Sequence, residues 1–209
     1  MAEKILFISP HTDDAELGCG GTMAKMAREG NDVYIAAFSK CEKSVPEGFA
    51  KDVLVKEMKE AAKALGIKGG NVMIFGYEVR EFPEKRQEIL EELFALNRKI
   101  RPVKVFVPCS SDLHQDHHTI YGEARRAFRE SSIYGYEQPW NCLEFWGNAV
   151  MAISKEDLEK KVSAIACYKS QEFRNYSKGE VFESLARIRG LRANTEYAEA
   201  FEAIQIVER

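Results

Sequence analysis

Two short stretches hold most of the side chains in this sequence that could do chemistry. The first is Pro10-His11-Thr12-Asp13-Asp14-Ala15-Glu16, which places one histidine and three carboxylates within six residues. The second is Asp112-Leu113-His114-Gln115-Asp116-His117-His118. The chain has four histidines, and all of them fall in these two stretches. Charge packed this densely beside apolar segments is costly unless something neutralises it, and a divalent cation is the simplest neutraliser. His11, Asp14 and one downstream histidine make a His₂-carboxylate set, the type that catalytic zinc uses while keeping one coordination position open. Such an ion supplies Lewis acidity and lowers the pKa of water to about 7. A purely structural zinc site would normally bring four protein ligands, usually Cys, and neither condition is clearly met. The neutral alternative is a solvated polar loop before a helix. Three histidines within five residues, together with Asp112 just before them and Asp116 between them, weigh against it. His114 and His117 are spaced i, i+3, so both can face one way in a helical turn.

These side chains need elements to bring them together. The first stretch follows an apolar run that reads as a buried strand, Lys4–Ser9, stopped by Pro10. The second follows another, Val103–Val107. Between them strand and helix signals alternate. A helix is expected at Gly21–Glu29 and a strand at Val33–Phe38. The polar segment Ser39–Gly48 is a loop. The helix Phe49–Leu65 is closed by Gly66, and a strand follows at Asn71–Phe75. A further helix begins with Pro83 at its first position. Beyond the second motif the pattern predicts a helix at Thr119–Arg129, one or two strands in Cys142–Ile153, a helix at Ser154–Tyr168 capped by Ser154, a helix at Gly179–Arg189 and a closing strand at Phe201–Val207. Ser131–Asn141, with Tyr134, Tyr136 and Trp140, has no regular assignment. This order predicts one α/β domain over residues 1–209, a Rossmann-like, mostly parallel sheet with helices on both faces. Both motif loops then emerge at the carboxyl edge of the strands, where open α/β sheets bind ligands.

Composition narrows the partners. At 209 residues, 45% hydrophobic and 30% charged, the chain has the profile of an ordinary soluble domain. A net charge of −3 without a basic block gives no footprint for nucleic acid or an anionic membrane. No apolar run reaches the roughly 20 residues needed to span a bilayer. The start of the chain runs straight into a strand, so no signal peptide is expected. Five cysteines without a C-x-x-C pair suit a reduced, cytoplasmic protein. The glycines at 18, 20 and 21 offer a rival reading as a dinucleotide-binding turn. The fingerprint G-x-G-x-x-G requires glycine where this chain has Met23, and three carboxylates just before it would repel a pyrophosphate.

Together the two stretches resemble the zinc-dependent deacetylases of the LmbE-like, or PIG-L, family, whose signature is P-H-x-D-D-x-E followed downstream by H-x-D-H. Pro10 to Glu16 and His114-Gln115-Asp116-His117 fit that pattern. The resemblance extends to Gly20-Gly21-Thr22, to Glu60-Ala61-Ala62-Lys63-Ala64-Leu65-Gly66 and to Tyr168-Lys169-Ser170-Gln171. Thr12 and Gln115 stand where the family often has proline, and neither position carries chemistry. The resemblance implies that His11, Asp14 and His117 hold the zinc, one ion per chain. It implies that Asp13 is the general base, that protonated His114 stabilises the oxyanion, and that Asp116 orients His114 and favours its charged form. Glu16 would support the ligands from behind or be structural, rather than catalytic. His118, directly after the motif, competes with His117 for the ligand position, and Fe²⁺ or Co²⁺ could replace zinc because such donor sets discriminate weakly.

The expected substrate is a small N-acetylated amino sugar or a conjugate of one, free or nucleotide-linked. Arg80 could grip a sugar hydroxyl or phosphate, and Gln171 could line the cleft. The aromatic segment around Trp140 is assigned to a sugar wall, to the core or to contact within a homo-oligomer. Two alternatives stand beside this reading: an amide hydrolase that cleaves a thiol conjugate, and a non-catalytic Rossmann-like ligand-binding module. Asp13 discriminates against the last, because a module that only binds has no use for a free carboxylate beside a metal ligand.

Overall fold

The computed structural model describes residues 2–208. Seven strands form one sheet: β1 (Lys4–Ser9), β2 (Asp32–Ala37), β3 (Val72–Ile74), β4 (Lys104–Pro108), β5 (Ser132–Tyr136), β6 (Ala149–Ile153) and β7 (Tyr197–Gln205). Their order is β3-β2-β1-β4-β5-β7-β6. The strands β1 to β5 pair in parallel, and β7 runs antiparallel to both β5 and β6. Six α-helices accompany them among the described residues: α1 (Asp14–Arg28), α2 (Val53–Ala64), α3 (Arg86–Ile100), α4 (Gln115–Ala127), α5 (Lys155–Ile165) and α6 (Gly179–Ala193). This is the α/β architecture expected from the alternating sequence signals. None of the helices is long and apolar enough to cross a membrane.

The core lies on both faces of the sheet because successive strand residues point to opposite sides. Ile5 and Phe7 of β1 join Met23, Met58 and Ala164 from α1, α2 and α5. Leu6 and Ile8 join Leu93 and Ile120 from α3 and α4. Strands buried on both faces read as continuous apolar runs, which is why β1 and β4 were visible in the sequence.

Several boundaries differ from the expected ones, each for a physical reason. α1 begins at Asp14, not Gly21, so the glycines lie inside the helix, which kinks at Cys19. They serve close packing: a Cβ on Gly18 would lie 2.4 Å from the Tyr136 ring, and one on Gly21 would lie 2.6 Å from Ile153. No phosphate-cradling turn exists there. α4 begins at Gln115, not Thr119, because the His114 ring caps it by accepting from the Asp116 N–H. α3 begins at Arg86, and Pro83 sits in the turns that precede it. β5 was not expected as a strand at all. Its Gly135 allows the Cys109 backbone to approach, and a Cβ there would meet the Cys109 Cα at 2.8 Å. Glycine in a strand is often the mark of such an approach. β7 starts at Tyr197, four residues early, since its buried Glu199 interrupts the apolar pattern.

Candidate metal centre and active site

β1 and β4 are neighbours in the sheet, so the segments that follow them leave its carboxyl edge side by side. His11 follows β1, Asp13 is the N-cap residue of α1, and Asp14 is its first residue. His114 caps α4, and His117 lies in its first turn. Residues a hundred positions apart thus converge.

Three donor atoms form a near-equilateral triangle. His11 Nδ1 is 3.1 Å from Asp14 Oδ2, His117 Nε2 is 3.2 Å from Asp14 Oδ2, and the two ring nitrogens are 3.2 Å apart. Tetrahedral zinc bonds of about 2.0–2.1 Å place donors at about this separation, so the set fits a small divalent ion. The remaining atoms of these residues are engaged in ways that aim the donors. His11 Nε2 lies 2.9 Å from Asp116 Oδ2 and His117 Nδ1 lies 2.7 Å from Asp112 Oδ2. Each imidazole can therefore donate to a carboxylate and turn its other nitrogen, unprotonated, to the centre. The second oxygen of Asp14 accepts from Gln138 Nε2 at 2.8 Å, and its Oδ2 accepts from the His11 backbone N–H at 2.7 Å.

The electrostatics agree with this chemistry. Burial alone would raise the Asp14 carboxyl, but the His117 and His11 rings outweigh it and hold Asp14 well below the carboxylate range. Burial lowers both imidazoles, yet their carboxylate partners carry His11 up to about 9 and His117 up to about 10. Surroundings that retain protons this firmly on two imidazoles favour a cation at the same place, and metal and proton compete for these lone pairs. Burial, with the Asp14 charge beside it, pushes the Asp13 carboxyl up to about 6. No hydrogen bond from the Asp13 side chain caps the helix.

His114 stands differently from expectation. The Asp116 carboxylate does not orient it, being taken up by His11 Nε2, by the Arg80 N–H at 2.7 Å and by the Phe82 N–H at 3.3 Å. Only the backbone N–H of Asp116 reaches His114, donating to Nδ1 at 3.1 Å. Burial and the neighbouring His117 and His11 lower the His114 pKa, so a neutral ring carrying its proton on Nε2 is favoured, not the charged form. One ring nitrogen from each of His11, His114 and His117 can lie within 4.8 Å of the others. That makes an alternative donor set, wider than the triangle with Asp14.

A cavity of about 280 Å³ opens over these groups. Asp13, Asp14, His11, His114 and His117 line its floor. Arg80, Trp140, Gln171, Arg174 and Tyr176 are among its walls. Arg80 is held in a left-handed conformation, φ 72°, by its N–H to Asp116 and by its carbonyl accepting from Gln115 Nε2. Gln171 lines the cavity with both ends of its amide engaged, donating to Ser170 Oγ and accepting from Arg174 Nε. Tyr134 and Tyr136 belong to the core, whereas Trp140 stacks on Tyr176 with centroids 4.2 Å apart. His118 is exposed, packs on Tyr121 and borders a separate groove. His117 is therefore the neighbour that faces the centre. Sequence reasoning missed Gln138, Arg174 and Tyr176, which no motif marks, and gave Asp112 no role. Glu16 is fully buried, and its carboxyl accepts from the Tyr168 hydroxyl at 3.1 Å.

Comparison with known proteins agrees with this geometry. The chain is 27% identical over 175 residues, 79% of its length and 90% of the relative's, to the uncharacterized deacetylase YaiS of Escherichia coli K12. It is 32% identical over 111 residues to the diacetylchitobiose deacetylase of Thermococcus kodakarensis, covering 51% of this chain and 40% of that one. A solved structure of a conserved protein from Thermus thermophilus superposes with a TM-score of 0.80 at 27% identity, over 100% of this chain and 97% of that one. Residues 6–128, which carry both histidine stretches, match PIG-L, described as GlcNAc-PI de-N-acetylase. The chain belongs to the PIG-L family of deacetylases.

Proposed function

We propose that this protein is a cytoplasmic, single-domain, zinc-dependent hydrolase that removes the acetyl group from the nitrogen of a small N-acetylated amino sugar. The observation that carries the reading is the donor triangle of His11 Nδ1, Asp14 Oδ2 and His117 Nε2, with Asp13 lining the same cavity and making no side-chain cap to its helix. The sugar comes from the relatives, among them the diacetylchitobiose deacetylase. Zinc bound at the triangle would polarise the amide carbonyl and make water more acidic. The rest falls to the protein's own side chains. Asp13 takes a proton from the attacking water, a task suited to a carboxyl poised near 6. His114 donates its Nε2–H to the oxygen on which negative charge develops. Asp116 and Asp112 fix the rings of His11 and His117. Arg80 and the Trp140–Tyr176 pair contact the sugar from the walls.

A panel of N-acetylated mono- and disaccharides, nucleotide sugars and thiol conjugates, read by release of free acetate, tests this. Turnover of an acetylated amino sugar that is lost with a chelator and restored by zinc supports the reading. Tight binding of a ligand with no acetate release from any member would replace it with a binding module.

A further inference from the structure

Five cysteines are unbridged in the structure, and two of them face each other. Cys109 Sγ and Cys142 Sγ are 3.3 Å apart. Cys109 directly follows β4, with its N–H bonded to the Tyr136 carbonyl and its carbonyl accepting from the Asp112 N–H. Cys142 pairs with Asp112 through an isolated antiparallel bridge. The two thiols thus join the segment that carries His114 and His117 to the one that carries Gln138 and Trp140. Asp112 is the hub between them: one oxygen accepts from the His114 N–H and the other meets His117 Nδ1. Cys109 is buried and Cys142 is half-buried, so a small oxidant can reach the second and not the first.

We propose that Cys109 and Cys142 are a redox modification site, which closes to a reversible disulfide on exposure to a peroxide and weakens the metal centre when it does. The Cys142 thiolate attacks a peroxide oxygen, giving a sulfenic acid and releasing water or an alcohol. The Cys109 sulfur then attacks the sulfenic sulfur, expelling water as the S–S bond forms. Both electrons go to the peroxide, and a dithiol reductant reverses the change. The hydrogen bond from Cys109 draws the Cys142 thiol down to about 7, which suits it to the first step. An S–S bond is about 2.05 Å long and the sulfurs are 3.3 Å apart, so closure draws together the two side chains and the segments that carry them. Asp112 lies three residues from Cys109 and Gln138 four from Cys142, so the displacement reaches the groups that aim His117 and Asp14. Disturbing such partners typically costs 10–100-fold in metal affinity.

The test treats the purified full chain with hydrogen peroxide, maps disulfides by differential alkylation and mass spectrometry, and titrates zinc against a chromophoric chelator. A Cys109–Cys142 link is expected, with zinc affinity falling by about tenfold or more and recovering with a reductant. Cys142→Ser should bind zinc as the reduced wild type does and should not respond to peroxide. Cys109→Ser should leave a sulfenic acid at Cys142 that a 1,3-dione traps. Over-oxidised Cys142 with Cys109 still free would overturn the proposal, as would a link between other cysteines, a link with unchanged zinc affinity, or equal sensitivity of Cys142→Ser. The mapping needs no zinc, so failure of the reduced protein to bind zinc would count against the proposed function and leave the bond to be judged alone.

Discussion

Asp13 and Asp14 are adjacent carboxylates with opposite tasks, separated by their surroundings. Asp14 has two imidazoles and the Gln138 amide around it, which favour the charged, ligating form. Asp13 has burial and the Asp14 charge, which favour holding a proton. Asp13→Asn keeps the shape but cannot accept a proton near neutrality. The variant should retain its metal and a near-normal KM while kcat falls by about 10²–10⁴-fold; metal analysis and steady-state kinetics check it, and wild-type kcat would remove Asp13 from its role. Asp112 supports a second prediction. Its two oxygens accept from the His114 N–H and from His117 Nδ1, and an asparagine has only one acceptor oxygen to serve both. Asp112→Asn should therefore weaken zinc binding by about 10–100-fold, measured by chelator competition.

At the scale of elements, α1 is held across its kink by charge. The Gly21 and Thr22 N–H groups donate to the Glu199 carboxylate of β7, which also pairs with Lys161 of α5 at 2.6 Å. All of this is buried. Glu199→Ala would strand the Lys161 ammonium and two amide donors, and the loss of one partner from a buried pair costs about 3–5 kcal/mol; chemical denaturation measures it. α1 and α5 are joined again by Arg28 and Asp157, and the Asp157 carboxylate also completes a capping box with Ser154. Burial would raise the Asp157 carboxyl, but the Arg28 and Ser154 bonds outweigh it and lower its pKa. A depressed folded-state pKa means stability that is present above the unfolded value, about 3.9, and lost as pH falls through the folded one. Asp157→Asn should therefore be less stable than wild type at pH 6, and the gap should narrow as pH falls below about 3.9 and close only below the depressed folded-state pKa, where native wild-type Asp157 is itself protonated. Acid titration of unfolding midpoints would expose a constant gap as a contradiction.

At the scale of the whole molecule, the candidate centre sits at one edge of a sheet whose core lies elsewhere, on the two faces. Folding does not need the metal to bring its ligands together, because β1 and β4 pair through their own backbones. Zinc should act as an ordinary ligand of the native state. At 1,000 times its Kd it would add about 4 kcal/mol, and each kcal/mol moves the Tm of a domain this size by about 2–4 °C. The stripped protein should thus unfold cooperatively, with a Tm lower by about 8–16 °C, in a thermal scan with and without chelator. Loss of a cooperative transition on stripping would show that the metal organises the fold.

The sequence by itself determined the alternation of elements, the two strands that bring the motifs together, and the residue types that surround the centre. These are local or near-local properties: apolar runs mark strands buried on both faces, and the motifs lie next to them in the chain. What only the tertiary structure decided depends on partners distant in sequence. β5 was hidden because Gly135 answers to the Cys109 backbone, and the start of β7 was hidden because Glu199 answers to Lys161 and α1. Asp116 was matched to its neighbour His114, yet its carboxylate meets His11, 105 positions away. Neither Asp112 nor Gln138 showed its role in the sequence, since an acceptor or an amide acquires its task only when the fold supplies the group it must hold. His117 rather than His118 faces the centre because α4 starts at Gln115, and that start depends on a histidine acting as a cap, which helix-start rules based on Ser, Thr, Asp and Asn do not anticipate.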